Sequence, residues 1–260
     1  MSIGILILAL LIGIVLGLIG SGGSILTVPV LVYGLGLEPV TATAYSLFIV
    51  GMTALVGAVP FARRGDVDVR ALFAFALPSI LAVYATRLWL LPALPDVWFT
   101  TDVLTITKGK GILLLFAILM FGAAIAMMRD AGPDERARAV RRPVLMAVEG
   151  AVVGALTGLV GAGGGFLIIP ALVLLAGIPM KAAVGTSLLL IAAKSLIGFT
   201  GDLQAGLQAD WPLLLGFTSV AVLGILLGAR HTERIPARAL KRGFGIFLIL
   251  IAISMIYAEL

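Results

Sequence analysis

The sequence contains no cysteine and only one histidine, His231. Without cysteine the chain forms no disulfide, iron–sulfur cluster or thiolate metal site, and it has no cysteine nucleophile. A single histidine excludes a histidine-rich metal site as well. Charge is also scarce, because only 12% of the 260 residues are Asp, Glu, Lys or Arg, against about 25% in an ordinary soluble domain.

Apolar residues make up 61% of the chain, and the mean hydropathy is +1.20. A soluble domain of this size could not bury so much apolar surface in one core while keeping so few charges outside. The composition therefore argues against a soluble enzyme, a nucleic-acid-binding module and a disordered protein. It predicts an integral protein of the lipid bilayer with room for about ten spans, since each span needs about 20 apolar residues.

Ten apolar segments follow one another along the chain, which predicts an all-α polytopic membrane protein. Two segments, 25–37 and 166–178, reach only about 20 Å as helices, against a hydrocarbon core of about 30 Å. The other eight are long enough to cross, alone or with tilt. They lie at 2–19, 40–61, 71–94, 109–128, 144–160, 180–199, 212–229 and 243–258.

The two halves of the chain repeat one another at an offset of 141 residues. Thirteen of the 31 positions from 17 to 47 are identical to their counterparts without a gap. The matches include Pro29 with Pro170, and the same offset pairs Gly65 with Gly206. We interpret the halves as related by descent. The expected organisation is a first transmembrane repeat at 1–128, a basic linker at 129–143 and a second repeat at 144–260.

Each half has five segments, and an odd number predicts that the second half enters from the opposite face, as an inverted repeat. If all ten segments cross, fourteen of the 18 Lys and Arg residues lie on one face, and only Lys108 and Lys110 lie on the other. The positive-inside rule then places the basic face and the linker in the cytoplasm and both termini outside. We therefore expect a multi-pass protein of the cell inner (plasma) membrane.

Two glycine-rich stretches each separate a long segment from a short one: Gly20-Ser21-Gly22-Gly23-Ser24 (the first glycine loop) and Gly161-Ala162-Gly163-Gly164-Gly165 (the second glycine loop). Non-helical backbone at membrane depth is tolerated only inside protein or beside a water-filled cavity. Glycine permits positive φ and close approach, and the following helix presents free N–H groups that bind anions. The loops are predicted to converge on one small anion. Alternatively, the glycines only let helices pack closely.

Hydroxyl groups beside the short segments are further candidate ligands. Residues 41–46 align with 182–187, and the candidates are Ser46, Thr186 and Ser187. Such hydroxyls donate to an anion without the desolvation cost of a full charge. The alternative is that they bond the preceding turn or a neighbouring helix.

Charged side chains inside apolar segments are costly and mark functional sites by default. Arg87 lies within 71–94, Lys194 within 180–199 and Glu149 within 144–160. Lys194 has Thr53 as its repeat counterpart, and we expect it to attract the anion or to carry a coupling proton. The alternative for Lys194 and Arg87 is that both side chains snorkel to the interface.

The pattern of motifs resembles the TauE/SafE family of sulfite and organosulfonate exporters. The second half matches best, through the second glycine loop, Pro170 and Ala183-Val184-Gly185-Thr186-Ser187-Leu188. The first half departs from the family pattern, with Ala44-Tyr45-Ser46 in place of Gly-Thr-Ser and with Ser24 in place of the last glycine. The resemblance implies a bacterial inner-membrane exporter of small sulfur-containing anions such as sulfite, sulfoacetate or related organosulfonates.

The predicted function is a secondary transporter that works by alternating access. The predicted substrate ligands are Gly20, Ser21, Gly22, Gly23, Ser24, Ser46, Arg87, Gly161, Gly163, Gly164, Gly165, Thr186, Ser187 and Lys194. We expect no cofactor, no metal and no nucleic-acid partner. A coupling proton or another ion, and a homodimer, stay open.

Two alternatives are an anion channel and a transporter of another carboxylate or inorganic anion. An enzyme is not expected, because the apolar segments hold no Ser–His pair, HExxH motif or paired carboxylates.

Overall fold

One helix forms at each of the ten predicted segments. The computed structural model describes residues 3–19, 24–100, 105–128, 143–174, 178, 180–231 and 237–259. The helices are α1 (Ile3–Ile19), α2 (Ser24–Gly34), α3 (Pro39–Arg64), α4 (Val69–Ala93), α5 (Lys108–Met128), α6 (Pro143–Val160), α7 (Gly165–Leu174), α8 (Met180–Gln204), α9 (Trp211–His231) and α10 (Ala237–Glu259). The linker at 129–142 lies outside the described residues.

Five of the described helices, α3, α4, α5, α8 and α9, are long and apolar enough to cross a membrane, by length and composition. Large apolar side chains also cover outward-facing positions: Phe73, Leu77 and Leu81 on α4 are 59%, 59% and 69% exposed. These three residues follow the four-residue spacing of one helix face, and such a face is stable against lipid rather than water. The predicted all-α polytopic membrane fold is confirmed.

A short antiparallel hairpin connects α4 to α5, and the hydropathy pattern did not predict it. Its strands are β1 (Val97–Thr100) and β2 (Thr105–Thr107), and Phe99 pairs with Ile106 across them. The β-branched and aromatic residues of both strands favour this structure. The indole ring of Trp98 packs on Gly111 of α5, where a Cβ atom would clash with it.

The two central helices, α3 and α8, run antiparallel and in close contact. A Cβ atom at Gly57 would lie 3.9 Å from Cδ1 of Leu188, and a Cβ atom at Gly198 would lie 3.3 Å from Cδ1 of Leu47. The offset of 141 converts Gly57 into Gly198 and Leu47 into Leu188. Each contact is therefore the repeat counterpart of the other.

Two outer pairs also take one helix from each half of the chain. α1 packs along α9, and α4 packs along α6. The close positions are glycines: a Cβ atom at Gly13 would clash with the backbone oxygen of Ala221, and one at Gly154 with that of Ser79. These helices touch backbone to backbone, in the manner of small-residue interfaces in membranes.

Two reciprocal hydrogen bonds close opposite ends of the α3–α8 pair. The backbone N–H of Asp68 donates to Oγ1 of Thr186 (2.9 Å), and the backbone N–H of Asp210 donates to the phenolic oxygen of Tyr45 (2.6 Å). Tyr45 and Thr186 are repeat counterparts at an offset of 141, and the two aspartates correspond at an offset of 142. The inverted repeat stays a prediction, and this reciprocal pairing supports it.

Candidate functional site

The second glycine loop joins α6 to α7 in the interior of the bundle. Gly161, Gly163 and Gly164 have φ angles of 73°, 65° and 69°, in the left-handed region that glycine adopts without a steric penalty. All five loop residues are buried. The predicted non-helical, positive-φ backbone is therefore present at this loop, which lies inside protein as the cost of unpaired backbone in lipid requires.

The loop contacts α3 through two of its glycines. A Cβ atom at Gly161 would clash with the backbone oxygen of Thr43, and one at Gly163 would lie 2.7 Å from Cγ1 of Val50. The same Cβ atom at Gly163 would lie 3.5 Å from Cβ of Ser24. The last residue of the first glycine loop thus lies beside the second loop, while Gly20, Ser21, Gly22 and Gly23 lie outside the described residues.

Three backbone donors at this loop are buried and have no partner among the described residues. Within the described part of the chain, the N–H groups of Ala162, Gly163 and Gly164 form no hydrogen bond. The carbonyl oxygen of Gly164 accepts from Leu167 and Ile168, so α7 begins directly after the loop. N–H groups left free at a helix N-terminus favour an anion, and burial raises the cost of leaving them unpaired.

Lys194 of α8 places an ammonium group against the loop. Its side chain is 1% exposed, and Nζ donates to Oγ1 of Thr157 at 2.9 Å. No described carboxylate lies within 4.0 Å of this ammonium. A Cβ atom at Gly164 would lie 2.7 Å from Nζ, so only glycine leaves the ammonium in place.

Arg87 of α4 is also fully buried, at 0% exposure, so neither it nor Lys194 snorkels to the bundle surface. Its Nη1 donates to Oγ1 of Thr43 (3.0 Å) and pairs with Oδ1 of Asp202 (3.3 Å). The hydropathy pattern ended the segment that became α8 at residue 199. It therefore did not identify Asp202 as a partner of Arg87. Helix α8 instead continues to Gln204 and buries the carboxylate between helices.

The predicted hydroxyl ligands separate into two groups. Ser46 is buried, lies on the α3 face between Thr43 and Val50, and has no partner for Oγ among the described residues. Thr186 instead accepts from Asp68 at the end of the helix pair, and Ser187 donates to the carbonyl of Val184 in its own helix (2.8 Å). The structure therefore brings Ser46 to the loop and holds Thr186 in a helix contact.

The remaining candidates fall at the edges of this site. Gly165 is the first residue of α7. Glu149 lies on α6, next to the glycine that packs on Phe75, and is half-buried. The residues that sequence reasoning missed are Thr43, Thr157 and Asp202. Each of the three contacts a buried cation that the sequence did identify.

Comparison with known proteins finds relatives along nearly the whole chain. The chain is 31% identical over 254 residues to a "Probable membrane transporter protein" of Xylella fastidiosa (strain Temecula1), covering 95% of this chain and 92% of the relative. It is 28% identical over 275 residues to the "Probable membrane transporter protein YunE" of Bacillus subtilis (strain 168), covering 97% and 96%. No solved structure matches the chain.

The helical bundle and these relatives define a membrane transporter. The family model described as "Sulfite exporter TauE/SafE" matches residues 5–255. The chain therefore belongs to the TauE/SafE family, and the resemblance found from its motifs is confirmed.

Proposed function

We propose that this protein is a secondary transporter that exports small sulfur-containing anions, such as sulfite, sulfoacetate or related organosulfonates. The observation that carries the proposal is the buried ammonium of Lys194, which faces no described carboxylate within 4.0 Å and lies against the second glycine loop. A buried charge without a counter-ion is costly. A bound anion removes that cost.

The proposed ligands surround the second glycine loop. The N–H groups of this loop that have no partner among the described residues, and the ammonium of Lys194, donate to the anion's oxygens. Ser24 and Ser46 supply hydroxyl groups from α2 and α3, both fully buried. In this proposal Thr186 and Ser187 act in helix contacts and not as ligands.

Alternating access is the proposed mechanism. The described ligands are all buried, so the substrate reaches them only when helices move apart. Antiparallel packing of α3 on α8, with a reciprocal hydrogen bond at each end, supports two halves that open in turn. The charge bias supports a cytoplasmic linker, outward termini and location in the inner membrane. No ATP-binding motif occurs, so an ion gradient or the substrate gradient drives export.

The experiment is counterflow in proteoliposomes with labelled sulfite and labelled sulfoacetate in parallel. We expect saturable counterflow of at least one of them. Lys194→Gln removes the ammonium and should weaken the apparent affinity about 10- to 100-fold, because a charge-assisted hydrogen bond contributes about 1.5–3 kcal/mol. Lys110→Gln is the matched control, since this lysine lies in the first turn of α5 and donates to the carbonyl of Glu259.

Three outcomes contradict the proposal. Folded protein that shows neither counterflow nor any flux of either anion excludes this substrate class. Flux that rises linearly with concentration and shows no counterflow indicates an anion channel. Equal affinities in Lys194→Gln and Lys110→Gln exclude the ammonium as a ligand.

A further inference from the structure

We propose that Arg87 forms a second anion site, on the outward half of the transport path, which receives the substrate from the central site at Lys194. The inference rests on the proposed function, because it assigns a further step to the same anion.

The guanidinium of Arg87 has an unused bidentate edge. Its Nη1 serves both Thr43 and Asp202, whereas Nε and Nη2 have no partner among the residues described. Nε and Nη2 form the side edge of a guanidinium, and this planar fork matches two oxygens of one oxyanion. Oδ2 of Asp202 is also unpartnered in the described bundle. The ion pair is therefore a single contact that leaves half of each group unused.

The second glycine loop connects the two cationic sites. Gly161 packs on Thr43, a ligand of the guanidinium, and Gly164 packs on the ammonium of Lys194. On α8, Asp202 follows Lys194 by eight residues, which is about 12 Å at 1.5 Å per residue. An anion that leaves Lys194 along the loop therefore travels about 12 Å to reach the guanidinium.

The second site exists at only one end of the molecule. Helices α3 and α8 correspond at an offset of 141 residues, and helices α4 and α9 correspond at an offset of 142. These offsets place apolar residues at the equivalent positions at the other end of the molecule. The counterparts of Thr43, Asp202 and Arg87 are Val184, Phe61 and Ala229. The repeat therefore packs without this polar cluster. Because the other end packs without these polar residues, a functional role explains the cluster better than a requirement for stable packing.

The polar end is the outward end. Thr43 lies near the start of α3, whereas Arg63 and Arg64 lie at its other end, on the face with the basic bias. The positive-inside rule makes that basic face cytoplasmic. An anion that moves from Lys194 to Arg87 therefore moves outward, and the carboxylate of Asp202 competes for the guanidinium and favours its release.

The test measures sulfite stoichiometry and efflux on the full-length protein. Titration calorimetry in nanodiscs should give two sulfite ions per chain for the wild type. Arg87→Gln/Asp202→Asn should bind one, with central affinity changed less than twofold and efflux slowed at least tenfold. Lys194→Gln should lose the other ion. The control is Asp96→Asn/Lys108→Gln, which removes the surface ion pair at 3.4 Å and should behave as wild type.

Arg87→Lys keeps the charge and removes the fork, so it should also bind a single sulfite. This variant tests the second site if the double variant does not fold. One sulfite per wild-type chain, or two per chain in Arg87→Lys, overturns the second site while leaving central binding intact. A wild type that binds no sulfite and also shows no sulfoacetate counterflow contradicts the proposed function itself, and the second site with it.

Discussion

At the scale of single residues, the site depends on the absence of a Cβ atom at its glycines. The left-handed glycines of the second loop leave no Cβ, so α3 and the ammonium of Lys194 come within contact distance of the backbone. The same absence leaves the loop N–H groups open to a ligand. Glycine here sets the geometry of both the donors and the cation.

Gly164→Ala tests this geometry. The new Cβ would clash with Cγ2 of Thr157, whose hydroxyl accepts from the ammonium, and would lie 2.7 Å from Nζ of Lys194. We therefore expect counterflow to fall at least tenfold. The matched control is Gly36→Ala, because Gly36 has a similar φ of 67° but nothing within 4 Å of the Cβ that alanine would add. Both variants carry the left-handed strain of about 1–2 kcal/mol. Thermal unfolding, followed by calorimetry or fluorescence, measures this shared loss of stability separately from the loss of transport. Equal counterflow in both variants would refute the proposed role of Gly164.

The residues of the site could be predicted in part. The glycines, Arg87 and Lys194 were recognisable because glycine repeats and intramembrane charges are unusual in apolar sequence. Asp202 was not, because hydropathy treats a carboxylate near a segment end as solvated, whether or not a distant arginine pairs with it. Thr186 was predicted as an anion ligand from its hydroxyl and its place beside the short segment, with a helix contact as the alternative. Only the packing of α8 on the Asp68 turn shows which group that hydroxyl accepts from.

At the scale of elements, apolar runs predicted every helix, with ends that differ by a few residues. The largest differences are at α10, which begins at Ala237 rather than 243, and at α8, which reaches Gln204 rather than 199. The hairpin of β1 and β2 was missed because its seven strand residues are too few for a periodic signal. Helix pairing was also beyond the sequence, since apolar faces of similar composition do not specify their partners in lipid.

The reciprocal hydrogen bonds of Tyr45 and Thr186 join the two ends of the α3–α8 pair to neighbouring segments. Thr186→Val and Tyr45→Phe each leave the N–H of an aspartate without its acceptor, and each should cost about 1 kcal/mol. We expect faster amide hydrogen exchange at Asp68 in the first variant and at Asp210 in the second, read by mass spectrometry. Thr200→Val is the control, because its hydroxyl bonds only a carbonyl in its own helix. Unchanged exchange at both aspartates would mean that these bonds do not hold the ends closed.

At the scale of the whole molecule, the positive-inside rule predicts the orientation in the membrane. Single cysteines can be introduced without removing any native one. Thr105→Cys lies in the exposed hairpin and Ala62→Cys is exposed near the end of α3. An impermeant maleimide should label the first in intact cells and the second only after permeabilisation. Counterflow of each variant checks that it is folded, and the reverse labelling pattern would invert the proposed direction of export.

The pairing of α1 with α9 and of α4 with α6 has an evolutionary consequence. Each of these tight pairs draws one helix from either half, so a single half presents glycine faces that have no partner within it. If the halves arose by duplication, the half-length ancestor had to assemble from two copies inserted in opposite orientations. We expect the two halves of today's chain, made as separate polypeptides, to accumulate only when they are produced together.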